Sequence, residues 1–275
     1  MRKLITPYAG DYGHAKGRAS KPNVDIKYFP DTESCVRILK VNSLKNQKVV
    51  VYHRLYPEPE KRLFELLLIL SRVRQETKKI EVFVPYLPYA RQDKSHQTGE
   101  VVSADVLCEL FVKYGVEKLI TYDCHFLPRA GNFKRAGLKI ENRSAGKALI
   151  AYAKKYFNGE NFIVIAPDQG SSYFIEEAQG YWLQKKRKRL NKSTVESETH
   201  IKKNNFDVKG KNICILDDVI DTGGTVYKTI LHLKERGAKK IIVGATHGTF
   251  SRPETLRKIL KATRGQVFTT NSIKL

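Results

Sequence analysis

The chain has 275 residues, 41% of them apolar, and carries 50 Lys and Arg against 28 Asp and Glu, a net charge of +22. That length sets an expectation of about two domains, and the apolar content excludes wholesale disorder. The richest apolar run, Leu63 to Leu70, is interrupted by Glu65 and falls short of the ~18 residues a membrane span needs, and the start at Met1 to Pro7 has no apolar signal-peptide core.

Taken in order, the first stretch, Tyr8 to Asn23, is glycine-rich and without period. Runs rich in β-branched residues then recur at Gln47 to Tyr52, Ile80 to Val84, Lys118 to Thr121, Phe162 to Ala166, Asn212 to Leu216, Lys240 to Gly244 and Val267 to Thr270. Helix-period stretches at Glu60 to Arg74, Ser103 to Tyr114 and Thr225 to Arg236 fall between them. Strand alternating with helix predicts an α/β fold with central parallel sheets flanked by helices. Gly115-Val-Glu-Lys-Leu-Ile and Gly237-Ala-Lys-Lys-Ile-Ile each close a helix and open a strand, which fits either two related halves or two ordinary glycine helix ends. A polar stretch at Asn142 to Gly146 places the boundary between an N-terminal half, 1–143, and a C-terminal half, 144–275. The segment from Lys185 to Lys211 is basic with few apolar anchors and reads as a lid or as irregular chain.

The four cysteines, at 35, 108, 124 and 214, form no CxxC pair. Neither a disulfide scaffold nor a zinc site is expected, and the compartment expected is the reducing cytoplasm. The positive charge is scattered, dense only at Lys185 to Arg189, and no nucleic-acid-binding spacing accompanies it. The charge fits either nucleic-acid binding or a soluble enzyme for polyanionic substrates with a generally basic surface, and nucleic acid is not expected as the main partner.

The chemistry concentrates in Ile213-Cys-Ile-Leu-Asp-Asp-Val-Ile-Asp-Thr-Gly-Gly-Thr225. An apolar strand delivers two adjacent carboxylates, Asp217 and Asp218, and then Asp221, Thr222, Gly223, Gly224 and Thr225 turn into a helix. Glycines let backbone N–H groups converge, and a helix N-terminus favours an anion. The carboxylates suit sugar hydroxyls, so the segment reads as a ribose-phosphate cradle. Arg91, Gln92 and Asp93 follow an aromatic, proline-stiffened run, where Arg can clamp a phosphate and Gln can read a base edge. Phe29 can stack on a base, with Asp31 and Glu33 as acceptors.

Asp217 to Thr225 resembles the phosphoribosyl-binding signature of the type I phosphoribosyltransferase fold. Val84-Pro-Tyr-Leu-Pro-Tyr-Ala-Arg-Gln-Asp93, Phe29-Pro-Asp-Thr-Glu33, Thr121-Tyr-Asp-Cys-His125, Ala166-Pro-Asp168 and Thr246-His-Gly248 narrow the resemblance to the ribose-phosphate pyrophosphokinase, or phosphoribosyl pyrophosphate (PRPP) synthetase, family. The resemblance implies two phosphoribosyltransferase-type, Rossmann-like halves. It implies that ATP donates its diphosphoryl group to the anomeric hydroxyl of ribose 5-phosphate, with AMP leaving. Phe29, Asp31, Glu33, Arg91, Gln92, Asp93 and His125 would bind ATP, the Phe29 to Glu33 loop reaching into a neighbouring subunit, which implies a homodimer or higher homo-oligomer. His125 and Asp168 would hold Mg²⁺. Lys185 and Arg187 would be the catalytic pair of a loop closing over the phosphates, with Arg187 and Arg189 as a competing frame.

The sequence also departs from the family pattern. Gly10 to Phe29 is short for the usual first helix, the chain ends soon after Thr269-Thr270-Asn271, and the usual Asn-Asp is replaced near Glu60-Lys61. The stretch from Asp168 to Lys185 is also short. Because it would border the acceptor pocket, it raises the alternative of a larger acceptor such as ADP-ribose. A phosphoribosyltransferase and an inactive regulatory homologue are the minor alternatives.

Overall fold

A computed structural model describes residues 2–8, 22–167, 180–182, 184–189, 195–200 and 207–273, with only the backbone course over 182, 184–189 and 195–200. It divides into two compact units, Met1–Arg143 with Ile273–Leu275 and Ser144–Ser272.

The first unit contains β1 (Arg2–Ile5), β2 (Val24–Tyr28), β3 (Ser34–Ile38), β4 (Lys48–Tyr52), α1 (Pro59–Val73), β5 (Ile80–Phe83), α2 (Ser103–Lys113), β6 (Val116–Tyr122), β7 (Gly131–Arg135) and β8 (Leu138–Arg143). A six-stranded sheet has the order β1-β4-β5-β6-β8-β7. All its neighbours run parallel except β7, which is antiparallel to β8 at the edge. β4 and β5 are buried almost throughout, which is why their sequences read as continuous apolar runs rather than alternating ones. Glu81 in β5 is the exception. It is 3% exposed and compensated by Lys48 Nζ at 3.0 Å, Arg2 Nη1 at 3.4 Å and Lys118 Nζ at 3.5 Å, all from strands of the same sheet.

Pro59 starts α1, where its missing N–H costs no hydrogen bond. Leu66, Ile69, Leu70 and Val73 face the core, each contributing about 1.5–3 kcal/mol by leaving water. Phe64, which the apolar period counts with them, is instead 58% exposed. β2 and β3 form a separate antiparallel hairpin.

The second unit contains α3 (Gly146–Tyr156), β9 (Phe162–Ala166), β10 (Tyr181–Trp182), β11 (Gln184–Arg189), β12 (Val195–His200), β13 (Asn212–Ile220), α4 (Gly224–Glu235), β14 (Lys240–Gly248), α5 (Pro253–Thr263) and β15 (Val267–Thr269). Its five-stranded sheet has the order β10-β9-β13-β14-β15, parallel throughout. Ile165, Ile213, Ile215, Ile230, Leu233, Val243 and Ile259 close its core.

Two expectations are corrected. The basic segment after Lys185 is not irregular over its described part, because β11 and β12 pair as an antiparallel ribbon, Gln184 opposite His200 through Arg189 opposite Val195. β13 and β14 also run four residues beyond Leu216 and Gly244, so Asp217 and Asp218 lie inside a strand rather than past its end. Pairing with β9 stops at Ile215, and β14 alone carries β13 on to Ile220, past the point where its apolar character stops. Gly115 and Gly237, at φ 83° and 82°, each accept the left-handed turn between a helix and the next strand.

Candidate active site

In the second unit the site is built at the C-terminal end of the sheet, where open α/β folds bind ligands. β13 lies between β9 and β14. Asp217 and Asp218 are 7% and 6% exposed. The N–H of Asp218 donates to Asp217 Oδ1 at 3.0 Å, and that of Val219 donates to Asp218 Oδ1 at 2.8 Å. One oxygen of each carboxylate is thereby fixed by the local backbone.

The chain then turns through Asp221 and Thr222, and α4 starts one residue beyond Gly223. Gly223 sits at φ 73°, and a Cβ there would lie 2.8 Å from Ile259 Cδ1 and 3.3 Å from Thr255 Cγ2. Only glycine meets both the backbone angle and the close approach of α5. The turn is braced from β14, since the Thr249 N–H and the Phe250 N–H donate to Ile220 O at 3.1 and 3.2 Å. The Thr249 hydroxyl donates to Asp221 Oδ1 at 3.0 Å.

Beside the turn, His247 is 1% exposed, with Nδ1 at 2.7 Å from Ser272 Oγ. The Ser272 hydroxyl donates its one hydrogen to Thr246 O at 2.8 Å. It therefore accepts from His247, which fixes the hydrogen on Nδ1.

In the first unit, the loop after β5 carries Arg91, exposed, and Gln92 and Asp93, half-buried. Gln92 Nε2 donates to Glu100 Oε1 at 2.9 Å, and Glu100 Oε2 accepts the N–H groups of His96 at 2.6 Å and Gln97 at 3.1 Å. These bonds, the His96 amide first, hold the Glu100 carboxyl below the usual carboxylate range. The Asp93 carbonyl accepts from Arg135 Nη2 at 2.7 Å, and Arg135 Nε also pairs with Asp105 at 2.6 Å. His125 follows β6, the strand beside β5. It is exposed and lies three residues past the strand end, whereas its neighbour Asp123 is wholly buried.

Phe29, Asp31 and Glu33 form the tip of the β2–β3 hairpin. Phe29 N–H donates to Glu33 O at 2.9 Å, Thr32 N–H to Phe29 O at 2.8 Å, and Glu33 N–H to Asp31 Oδ1 at 3.2 Å. The Phe29 ring is 54% exposed.

The structure therefore gathers Asp217 to Thr225 in one continuous segment, and it carries Arg91, Gln92 and Asp93 on the loop after β5 and His125 on the loop after the adjacent β6. Lys185 lies opposite Thr199 and Arg187 opposite Ser197 on the ribbon. Asp168 lies outside the described residues. Among the described residues no three His, Cys, Asp or Glu side chains gather into a metal cage, and no helix is long and apolar enough to cross a membrane.

Residues 16–115 match the model for the N-terminal domain of ribose phosphate pyrophosphokinase, and residues 138–271 match the phosphoribosyl transferase domain. The ribose-phosphate pyrophosphokinase of Pyrococcus furiosus is 34% identical over 244 residues, covering 87% of this chain and 82% of that protein. The chain belongs to the ribose-phosphate pyrophosphokinase family. The enzyme of the same name from Methanobrevibacter smithii is 32% identical over 262 residues, covering 91% of this chain and 85% of that one. The crystal structure of phosphoribosylpyrophosphate synthetase from Mycobacterium smegmatis superposes with a TM-score of 0.78 at 25% identity, over 99% of this chain and 89% of that one.

Against this pyrophosphokinase background, sequence reasoning missed Thr249, Glu100 and Tyr28. Thr249 lies one residue past the Thr246-His-Gly248 motif, and its place beside Asp221 is a tertiary contact. Glu100 stands in a polar stretch with no period to mark it.

Proposed function

We propose that the protein is a ribose-phosphate diphosphokinase, transferring the diphosphoryl group of ATP to the anomeric hydroxyl of ribose 5-phosphate to give PRPP and AMP. The observation that carries this reading is the continuous run from Asp217 to Thr225. It places two carboxylates, hydrogen-bond acceptors for a diol, directly before a glycine turn and helix N-terminus suited to a phosphate. Asp217 and Asp218 take the 2- and 3-hydroxyls, and Asp221, Thr222, Gly223, Gly224 and Thr225 take the 5-phosphate.

Arg91, Gln92, Asp93 and His125, on the loops after β5 and β6, bind ATP. Phe29, Asp31 and Glu33 take its adenine end. In the reaction the anomeric oxygen bonds to the β-phosphorus, the bond from that phosphorus to the AMP oxygen breaks, and the hydroxyl proton is released. Positioning and electrostatics do most of the catalysis. Lys185 and Arg187 supply positive charge where phosphoryl charge shifts.

An exposed His125 with no described cage of donors fits an ion that keeps most of its water, so His125 and Asp168 would hold Mg²⁺, which neutralises phosphate charge when bound. A largely exposed aromatic at a hairpin tip suits a reach toward a neighbouring subunit, so the active unit is a homodimer or larger.

The larger-acceptor alternative, ADP-ribose, is not favoured, because the relatives carry the ribose-phosphate name. The segment that suggested it lies mostly outside the described residues.

The test is AMP release from ATP and Mg²⁺ with ribose 5-phosphate, read together with PRPP formation. Stoichiometric AMP and PRPP are expected. No AMP above the acceptor-free control would overturn the reading.

A further inference from the structure

The β2–β3 hairpin is two-stranded, and such a unit is marginal unless something anchors it. Its base is anchored by apolar packing. Val24 and Ile38 are buried, and Ile26 and Val36 pack against the core of the first unit. Toward the tip that support runs out, because residues 27 to 33 are all exposed.

Tyr28, immediately before Phe29, is the exception in kind. Its ring lies 4.0 Å under the Lys61 ammonium, and its hydroxyl donates to Glu65 Oε1 at 2.7 Å. Both partners stand on α1.

Glu65 is an expensive residue at its position. Its side chain is wholly buried, on the face of α1 that also buries Leu66, Ile69, Leu70 and Val73, where a carboxylate must find partners. Its charge is compensated by Arg62 Nη1, at 3.1 Å from Oε2 and 3.4 Å from Oε1. Arg62 Nη1 also reaches the Tyr28 oxygen at 3.4 Å. On the inner side His53 Nε2 stops 3.7 Å short of Oε2 and makes no hydrogen bond. The carboxylate's short contacts thus run outward, to Arg62 and to the hairpin.

We propose that Glu65, through the Tyr28 hydroxyl, is a positioning residue for the Phe29–Glu33 tip, and that this pair sets the affinity for ATP without touching it. The proposal rests on the reading that this tip holds the adenine end of ATP. Burial and the bond to Glu65 also raise the Tyr28 pKa, so its hydroxyl stays a donor across the working pH range.

The experiment uses the full chain and two variants. Tyr28→Phe removes one oxygen from a half-exposed ring and leaves packing intact. Phe29→Ala removes the stacking ring. KM for ATP, KM for ribose 5-phosphate and kcat are measured for each, with amide hydrogen exchange at Phe29, Thr32 and Glu33.

For Tyr28→Phe, KM for ATP is expected to rise about tenfold, the scale of one hydrogen bond to a charged group, with kcat and KM for ribose 5-phosphate within about twofold. Exchange at the three tip amides is expected to accelerate, while exchange in β4 and β5 stays as before. If Phe29→Ala raises KM for ATP and Tyr28→Phe does not, the proposal is overturned while the adenine reading stands. If Phe29→Ala leaves KM for ATP unchanged, the adenine reading falls and the proposal with it. Unchanged exchange at the tip in Tyr28→Phe overturns the proposal whatever KM does.

Discussion

The Thr249 hydroxyl donates to Oδ1 of Asp221 across 3.0 Å, joining the end of β14 to the glycine turn that follows β13. Thr249 is 7% exposed, and its backbone N–H also holds Ile220 O, so the residue fixes the turn twice. Thr249→Val keeps the shape and removes one of the two bonds. The expected result is a loss of about 1 kcal/mol in urea unfolding and a rise of about three- to tenfold in KM for ribose 5-phosphate at saturating ATP. Thr249→Ser, which keeps the hydroxyl, restores both values.

Gly223→Ala adds a methyl 2.8 Å from Ile259 Cδ1 at a backbone angle of φ +73°. The left-handed conformation alone costs about 1–2 kcal/mol for a residue with a Cβ, and Ile259 must also shift. The turn then opens away from α5. We expect kcat/KM for ribose 5-phosphate to fall by at least about tenfold, as a loss of some 1.4 kcal/mol implies, with KM for ATP changed far less. Equal losses for both substrates would contradict the assignment of this turn to the acceptor.

Glu100 holds the Arg91–Gln92 loop through Gln92 and the amides of His96 and Gln97. The carboxylate is fully exposed and contributes little to global stability. Glu100→Ala is expected to leave Tm within about 2 °C of the parent and to raise KM for ATP severalfold. Glu100→Gln keeps one acceptor and falls between them. Steady-state kinetics beside a thermal melt separate these outcomes.

His53 is wholly buried, and burial pushes its imidazole pKa down from 6.5 to about 3, opposed by its bond to Arg54 O and assisted by the Arg62 cation. The folded ring stays neutral through that window, while the unfolded chain takes up a proton below 6.5. The unfolded state then binds more protons, so this contribution is full above the ordinary histidine pKa and is lost as pH falls toward 3. At its steepest the loss is about 1.4 kcal/mol per pH unit. Urea unfolding at pH 7, 5.5 and 4.5 should show a smaller decline for His53→Gln than for the parent. Parallel declines in the two proteins would show that His53 does not carry it.

The sequence was read most securely where geometry is local. β9 was placed residue for residue, and α1 and α2 within one residue at each end, because burial on both sheet faces and the 3.6-residue period write themselves into composition. The ribbon at Gln184–Arg189 is illegible in sequence, because strands built of Lys, Arg and Gln carry no apolar alternation. Phe64 falls within the apolar period of α1 yet is 58% exposed, because the period marks a broader stripe than the core covers.

The alternating α/β architecture and the glycine turn after β13 were legible in the residues alone. Nine consecutive residues, Asp217 to Thr225, contain strand end, carboxylates, glycines and helix start, so their arrangement follows from short-range backbone geometry. Tertiary structure decided what braces them. Thr249 meets Asp221 across 28 residues and Tyr28 meets Glu65 across 37, separations at which no local pattern survives. It also gave Glu65 its meaning. In sequence it is a charge that interrupts an apolar run; in the fold it is a buried carboxylate whose burial is tolerable because the hairpin and Arg62 bring donors to it.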